Sequence, residues 1–389
     1  MARTPAHPRI VGAYEHPQRV IPDKSLAQVH AEVALGALAD AGLTTADVDG
    51  IFCSGDAPGY GSLSLFEYLD LRVRHTDNTD AGGAAPIVHV GHAVQAIRAG
   101  KCDVALITMA GLPRQAVAGG LAMDGPTTAP ESGFEDVFGV TVPAMYALAA
   151  QRHMYEYGTT SAQLAEIRVA AAHHAQYNPN AYFQKPVTVE EVLASRMIAD
   201  PLHLLDCCVI TDGGGALVVV SPDVASDLER RSVEVLGFGE ASRSTDNGRV
   251  DLTITGAARS GPIAFADAGI STKDIDYASI YDSFTITVLE TIEDLGFCAK
   301  GEGGRFVSDG ALMAPFGRLP FNTDGGGLCN NHPANRGGMT KVIEAVRQLR
   351  GEANPPVQVP DCEIALAHGT GGYLATRMMS ATVVLGRGD

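Results

Sequence analysis

Apolar residues along this chain fall into two recurring patterns. Short runs without polar alternation, VALITMA (104–110), GALVVVS (215–221) and EIALAHG (363–369), read as strands buried on both faces. Other stretches carry apolar positions at helical spacing and end in glycine. DAGGAAPIVHVGHAVQAIRAGKCDVALI, from Asp80 to Ile107, combines both as a glycine turn, an amphipathic helix and a buried strand. A turn of this kind can present a nucleophile at a helix N-terminus. Here it holds Gly82 and Gly83, with no cysteine, serine or lysine to attack anything.

The pattern occurs twice. ALADAGLTTADVDGIF from Ala37 aligns without a gap with AFADAGISTKDIDYAS from Ala264, an offset of 227. CDVALITMAG from Cys102 aligns with CEIALAHGTG from Cys362 at 260, and VQAIRAG from Val94 resembles IEAVRQLRG from Ile343 at 249. The order is the same in both halves: helix, acidic turn, strand, glycine turn, helix, strand. Each half therefore reads as an alternating α/β unit with a largely parallel sheet and helices on its faces. The halves are expected at 1–221 and 222–389.

Inside the first half lies a long excursion, about 112–205, rich in Gly, Pro, Ala and His. It contains two helical stretches, VPAMYALAAQRHMYEYG and SAQLAEIRVAAAHHAQYN. A connection this long serves as a substrate wall or as a packing and assembly element. TDGGGALVVVS then returns the chain to the sheet at about Thr211 to Ser221.

Composition excludes several classes. With 46% hydrophobic and 19% charged residues the 389-residue chain is an ordinary globular protein, and a net charge of −17 argues against a phosphate-backbone partner. No apolar run has the length of a membrane span and the N-terminus lacks a signal-peptide core, so a cytoplasmic protein is expected. The seven cysteines show no C-x-x-C spacing and read as reduced buried thiols, with no metal site of the chain's own.

Ligands of α/β sheets bind beyond the carboxyl ends of the strands. That rule selects FCSGD after Ile51, YDSF at Tyr281, the two glycine turns and AHGTGGY at 367–373. The offset of 249 pairs Gly83 with His332, so the bare turn is matched by one that carries a histidine. In TDGGGLCNNHPANRGGM (323–339) the glycines allow close backbone approach, and His332 stands beside amide donors suited to an oxyanion. Asp282 is expected to cap the helix that follows it; Asp77, Asn78 and Asp80 either line a cavity or cap a helix.

The duplicated halves, DGGGLCNNHPANRGG, YDSFTITVLETIEDLGF and HGTGGYLATRMMSATVVLGR together resemble the thiolase superfamily, particularly its sterol-carrier-protein-type members, over nearly the whole chain. The resemblance implies a duplicated α/β fold with two mixed sheets in an α-β-α-β-α layering. It places the family's acyl-accepting cysteine at Gly83, and the second family cysteine at about His368. A glycine can carry no acyl group. The chain is in this respect similar to the steroid side-chain-cleaving aldolase branch, which implies retro-aldol cleavage of a β-hydroxyacyl-CoA to a ketone and a shortened acyl-CoA.

Under that resemblance His332 is the expected oxyanion donor, Tyr281 and Tyr373 are the candidates for base and hydroxyl positioning with Tyr281 preferred as base, and His368 is the competing base. Gly326 and Gly371 are the backbone positions expected near the CoA thioester. The branch also implies a homodimer core, a small zinc-ribbon/OB-fold partner that holds any zinc, and a heterotetramer of two copies of each. No other cofactor is expected. An atypical thiolase or acetyltransferase, and a non-catalytic acyl-CoA-binding subunit, are the rival readings.

Overall fold

The computed structural model describes residues 7–54, 57–117, 137, 141–244, 249–373 and 376–388. Local signals shape the repeat. Helix α1 (Leu26–Ala41) starts at Ser25, whose side chain and that of Gln28 form a capping box, and stops at Gly42 with φ of 73°. A 3₁₀ turn at Thr45–Asp47 then feeds β2 (Gly50–Cys53). In the second half α5 (Ala257–Ala268) stops at Gly269 with φ of 69°, and the turn Thr272–Asp274 feeds β7 (Tyr277–Ile280). Turn and strand both recur at the offset of 227 read from the sequence.

The remaining strands of the large sheet are β1 (Arg9–Glu15), β3 (His75–Asn78), β4 (Val104–Gly111), β5 (Gly213–Val220), β6 (Val233–Arg243), β8 (Ile364–Tyr373) and β9 (Thr376–Arg387). Among the described residues they run β3-β2-β4-β5-β1-β6-β9-β8-β7. Two residue pairs, Arg9 with Glu234 and Ile10 with Val233, join the expected half-sheets edge to edge between β1 and β6. The sheet is mixed rather than largely parallel. β2 is parallel to β3 and β4, and β7 to β8, whereas β4–β5 and β8–β9 are antiparallel. For β8–β9 the physical reason is connection length: Tyr373 pairs with Thr376 in a hairpin that leaves no room for a helical crossover.

Helices α2 (Ala85–Arg98) and α7 (Gly338–Arg350) lie between the two half-sheets. Ile87 and Val88 from one helix and Val342 and Val346 from the other share a core with Leu217 of β5 and Ala365 and Val383 of β8 and β9. Helix α1 covers the outer face of the first half, and α5 and α6 (Thr285–Asp294) cover that of the second, completing five layers. The 112–205 excursion supplies α3 (Val142–Tyr157) and α4 (Ser161–Ala175), whose apolar faces join the core of α6. Residues 118–136 and 138–140 of the excursion lie outside the described residues. Among the described residues no helix is long and apolar enough to cross a membrane.

The offset between the paired central helices is corrected. They begin at Ala85 and Gly338, 253 residues apart rather than the 249 aligned from the sequence. His332 therefore sits four residues earlier in its turn than strict pairing with Gly83 predicts.

Candidate active site

Tyr281 stands just past the carboxyl end of β7, where its backbone N–H donates to the carbonyl of His368 at 3.0 Å. Its ring lies over the bare turn. A Cβ added to Gly83 would fall 2.5 Å from Tyr281 Cζ, 2.6 Å from Cε2 and 2.4 Å from the Thr370 carbonyl oxygen. Such separations are closer than carbon atoms tolerate, so the aromatic ring and a side chain at 83 exclude one another. The phenol oxygen meets His332 Nε2 at 2.9 Å. Burial, then the neighbouring Tyr146, Cys208 and Asp282, push the phenol well above the usual tyrosine range.

His332 is held by its turn. Cβ atoms at Gly327 or Gly337 would each approach its Cδ2 to 3.0 Å, so both glycines make room for the ring. Its backbone N–H donates to Thr211 Oγ1 at 2.9 Å, and that hydroxyl donates to Asn331 Oδ1 at 2.8 Å. Burial lowers the imidazole to about 4; Asp282 opposes that shift and Lys341 adds to it. At neutral pH the ring is uncharged.

Asp282 does not cap the helix that follows it, contrary to expectation. Its Oδ1 accepts from Gly327 N at 2.8 Å and from Lys341 Nζ at 2.7 Å, and its Oδ2 accepts from Leu328 N at 3.1 Å. The Gly326 N–H donates to Asp324 Oδ1 at 2.9 Å. The amides of Gly326, Gly327 and Leu328 are thus committed to buried carboxylates. Gly371 has a packing role. A Cβ there would fall 1.6 Å from the Ala81 carbonyl oxygen, so its lack of a side chain lets β8 lie against the turn at 81–83.

His368 shares a face of β8 with Leu366 and Thr370. Its Nδ1 lies 2.9 Å from Thr382 Oγ1, which in turn meets Ser260 of α5 at 2.9 Å, and its Nε2 lies 3.4 Å from Thr370 Oγ1. The two-residue period of the strand aims the ring toward the α5 layer, away from α2 and α7. Burial lowers it to about 3. The structure therefore joins His368 to Tyr281 through the backbone and not through its ring, which removes it as the competing base.

Tyr373 ends β8, near enough to Tyr146 to oppose that residue's ionisation. Tyr146, on α3 of the excursion, is a member of the site that sequence reasoning missed. It is buried, hydrogen-bonded to Ser283, and packed on Phe284 with ring centroids 4.3 Å apart. Burial raises its phenol to about 12. Lys341 was missed as well, although a lysine amid Met339, Val342, Ile343 and Val346 on an apolar helix is a signal of a buried charge.

The cysteines fit this picture. All seven are free, and burial raises Cys53, Cys102, Cys207, Cys298, Cys329 and Cys362 to about 12 and Cys208 further still. No thiolate is present at neutral pH to accept an acyl group. His92 pairs with Asp77 at 2.6 Å, Asn78 bonds Ser62, and Asp80 accepts from Gly82 N at 3.0 Å, so the polar residues before the turn stabilise it. Among the described residues no group of three or more His, Cys, Asp or Glu is placed to hold a metal.

Comparison with known proteins places the chain among thiolase relatives. Residues 239–387 match the thiolase C-terminal domain-like family. The chain is 35% identical over 381 residues to an acetyl-CoA acetyltransferase of Methanothermobacter thermautotrophicus, covering 92% of this chain and 95% of that protein. It is 37% identical to a steroid side-chain-cleaving aldolase of Thermomonospora curvata, over 90% of this chain and 91% of the relative. A 17-hydroxy-3-oxo-4-pregnene-20-carboxyl-CoA lyase of Mycobacterium tuberculosis is 35% identical, over 90% and 92%. The solved Ltp2-ChsH2(DUF35) aldolase superposes with a TM-score of 0.87 at 33% identity, covering 98% of both chains. This chain belongs to the thiolase family.

Proposed function

We propose that the protein is a carbon–carbon lyase that cleaves a β-hydroxyacyl-CoA by a retro-aldol reaction, with a steroid side chain as the substrate class. The observation that carries this reading is the Tyr281 ring standing where the family's nucleophile would stand, bonded to His332 at 2.9 Å. The names of the lyase and aldolase relatives support it.

Tyr281 and His332 act as a proton-accepting pair. The neutral phenol donates to Nε2 of the neutral imidazole. As Tyr281 takes the proton of the substrate's β-hydroxyl, it passes its own to His332. The Cα–Cβ bond breaks, its electrons become the thioester enolate, and the hydroxyl carbon becomes the ketone. The enolate then takes a proton at Cα from the pair, so protons balance and nothing is oxidised.

Magnitudes favour the relay over a free phenolate. An imidazolium of pKa about 4 costs roughly 4 kcal/mol at pH 7. A phenolate costs about 4 kcal/mol even at the unperturbed value, and burial of Tyr281 adds to that. Tyr373 and Tyr146 position the hydroxyl-bearing carbon.

The acetyltransferase reading needs a thiolate, and every thiol here is raised. Incubation with a tertiary β-hydroxyacyl-CoA separates the two. Ketone release without consumption of free CoA supports the aldolase; CoA-dependent cleavage of a β-ketoacyl-CoA sinks it. The working assembly is a cytoplasmic heterotetramer of a homodimer with two copies of a small zinc-ribbon/OB-fold subunit, and the lyase has no cofactor beyond the substrate's CoA. Purification as a bare, fully active homodimer overturns that assembly.

A further inference from the structure

A buried ion pair sits behind the Tyr281–His332 contact. Lys341 on α7 is 1% exposed and Asp282 is fully buried, with Nζ and Oδ1 2.7 Å apart. The Asp282 carboxylate also receives two amides of the turn Gly326–Cys329, three residues before His332. It is nested there: a Cβ at Gly326 would fall 2.2 Å from Oδ2, and one at Gly327 would fall 3.0 Å from Oδ1. One carboxylate thus ties Tyr281, its chain neighbour, to the turn that carries His332. Lys341 fastens that carboxylate to α7, which begins at Gly338, six residues after His332.

We propose that Lys341 is a positioning residue which, through Asp282, fixes His332 against Tyr281 so that Nε2 stands within reach of the phenol proton. The inference rests on the reading of that pair as the proton acceptor. The groups around His332 assign the parts. Tyr281 faces it from the end of β7 and Thr211 from the connection into β5, both uncharged, while Cys208 faces Tyr281 with its thiol held protonated. Asp282 supplies the charge that favours an imidazolium, and Lys341 the charge that opposes it. The two together leave little net charge behind the ring while keeping both anchors. A pair that merely filled space would be replaceable by apolar or neutral residues of similar volume without effect on the histidine.

The test uses the full chain, with any co-purifying subunit. Lys341→Met, Lys341→Arg and the double variant Asp282→Asn/Lys341→Met are compared by NMR titration of labelled histidine, with His332 assigned by a His332→Gln variant. The pH profile of kcat/KM is measured in parallel. Lys341→Met, which leaves Asp282 unopposed, is expected to raise the His332 pKa by a unit or more, with the acid limb of the profile following it. Its kcat should fall at least tenfold while KM stays within threefold, and Lys341→Arg should restore most of the loss. The double variant, free of an unpaired buried charge, should return the titration toward wild type yet keep a tenfold lower kcat.

Wild-type kcat in folded Lys341→Met overturns the proposal. If that variant does not fold, wild-type kcat in the double variant overturns it. A titration that moves without the acid limb following rejects His332 as the proton acceptor while leaving the charge assignment standing, so the two readings fail separately.

Discussion

Gly83 and Tyr281 share room for a single side chain, and the tyrosine fills it, with Cζ 2.5 Å from where a Cβ at position 83 would be. The glycine is needed for space rather than for backbone freedom. Substitution by Ala or Cys is therefore expected to push the ring off His332. Retro-aldol turnover should fall at least about 100-fold. Stability should drop by about 1–3 kcal/mol through overpacking. Gly83→Cys should gain no thiolase activity; an acyl group trapped on that cysteine during turnover would refute the exclusion argument.

Tyr281→Phe keeps the ring over Gly83 and removes only the hydroxyl that meets His332 at 2.9 Å. The variant should fold normally and lose about 10²–10⁴ in kcat, the usual worth of a general acid–base group. Steady-state kinetics with circular dichroism as the folding control checks this. Wild-type turnover would remove the phenol from the mechanism.

Stability should fall on mild acidification. Burial lowers His332 and His89 to about 4 and His30, His174 and His368 to about 3 in the folded chain, against 6.5 as the ordinary value. Folded pKa values lie below unfolded ones, so the unfolded chain binds protons first. The stabilisation is complete above pH 6.5 and is lost as pH falls through 4 toward 3. Each fully depressed histidine is worth about 3–5 kcal/mol over that window, to order of magnitude. Denaturant midpoints measured from pH 7 to pH 4 should decline steeply below 6.5; a flat profile would contradict the buried neutral state.

Alkylation gives an independent reading of the thiols. With burial raising every cysteine, a haloacetamide at neutral pH should leave activity intact over an exposure that labels all seven after denaturation. Rapid inactivation blocked by an acyl-CoA would point to a reactive thiol and revive the acetyltransferase reading.

The sequence by itself determined the architecture and half of the site. Capping residues, glycine stops and apolar runs are local signals, so the repeat at 227 and the strands at Val104 and Ile364 could be read directly from the chain. The bare turn at Gly83 and the singled-out Tyr281 and His332 were legible for the same reason, as residue types at motif positions. Only the tertiary structure decided who meets whom. Tyr281 and His332 are 51 residues apart, and Tyr146 reaches the site from an excursion with no motif. The strand's alternation turned the His368 ring to the α5 side, and Asp282 found Lys341 and the glycine turn instead of its own helix. Periodicity specifies which face is buried, whereas the partner of a buried polar atom depends on what the folded neighbours leave unsatisfied.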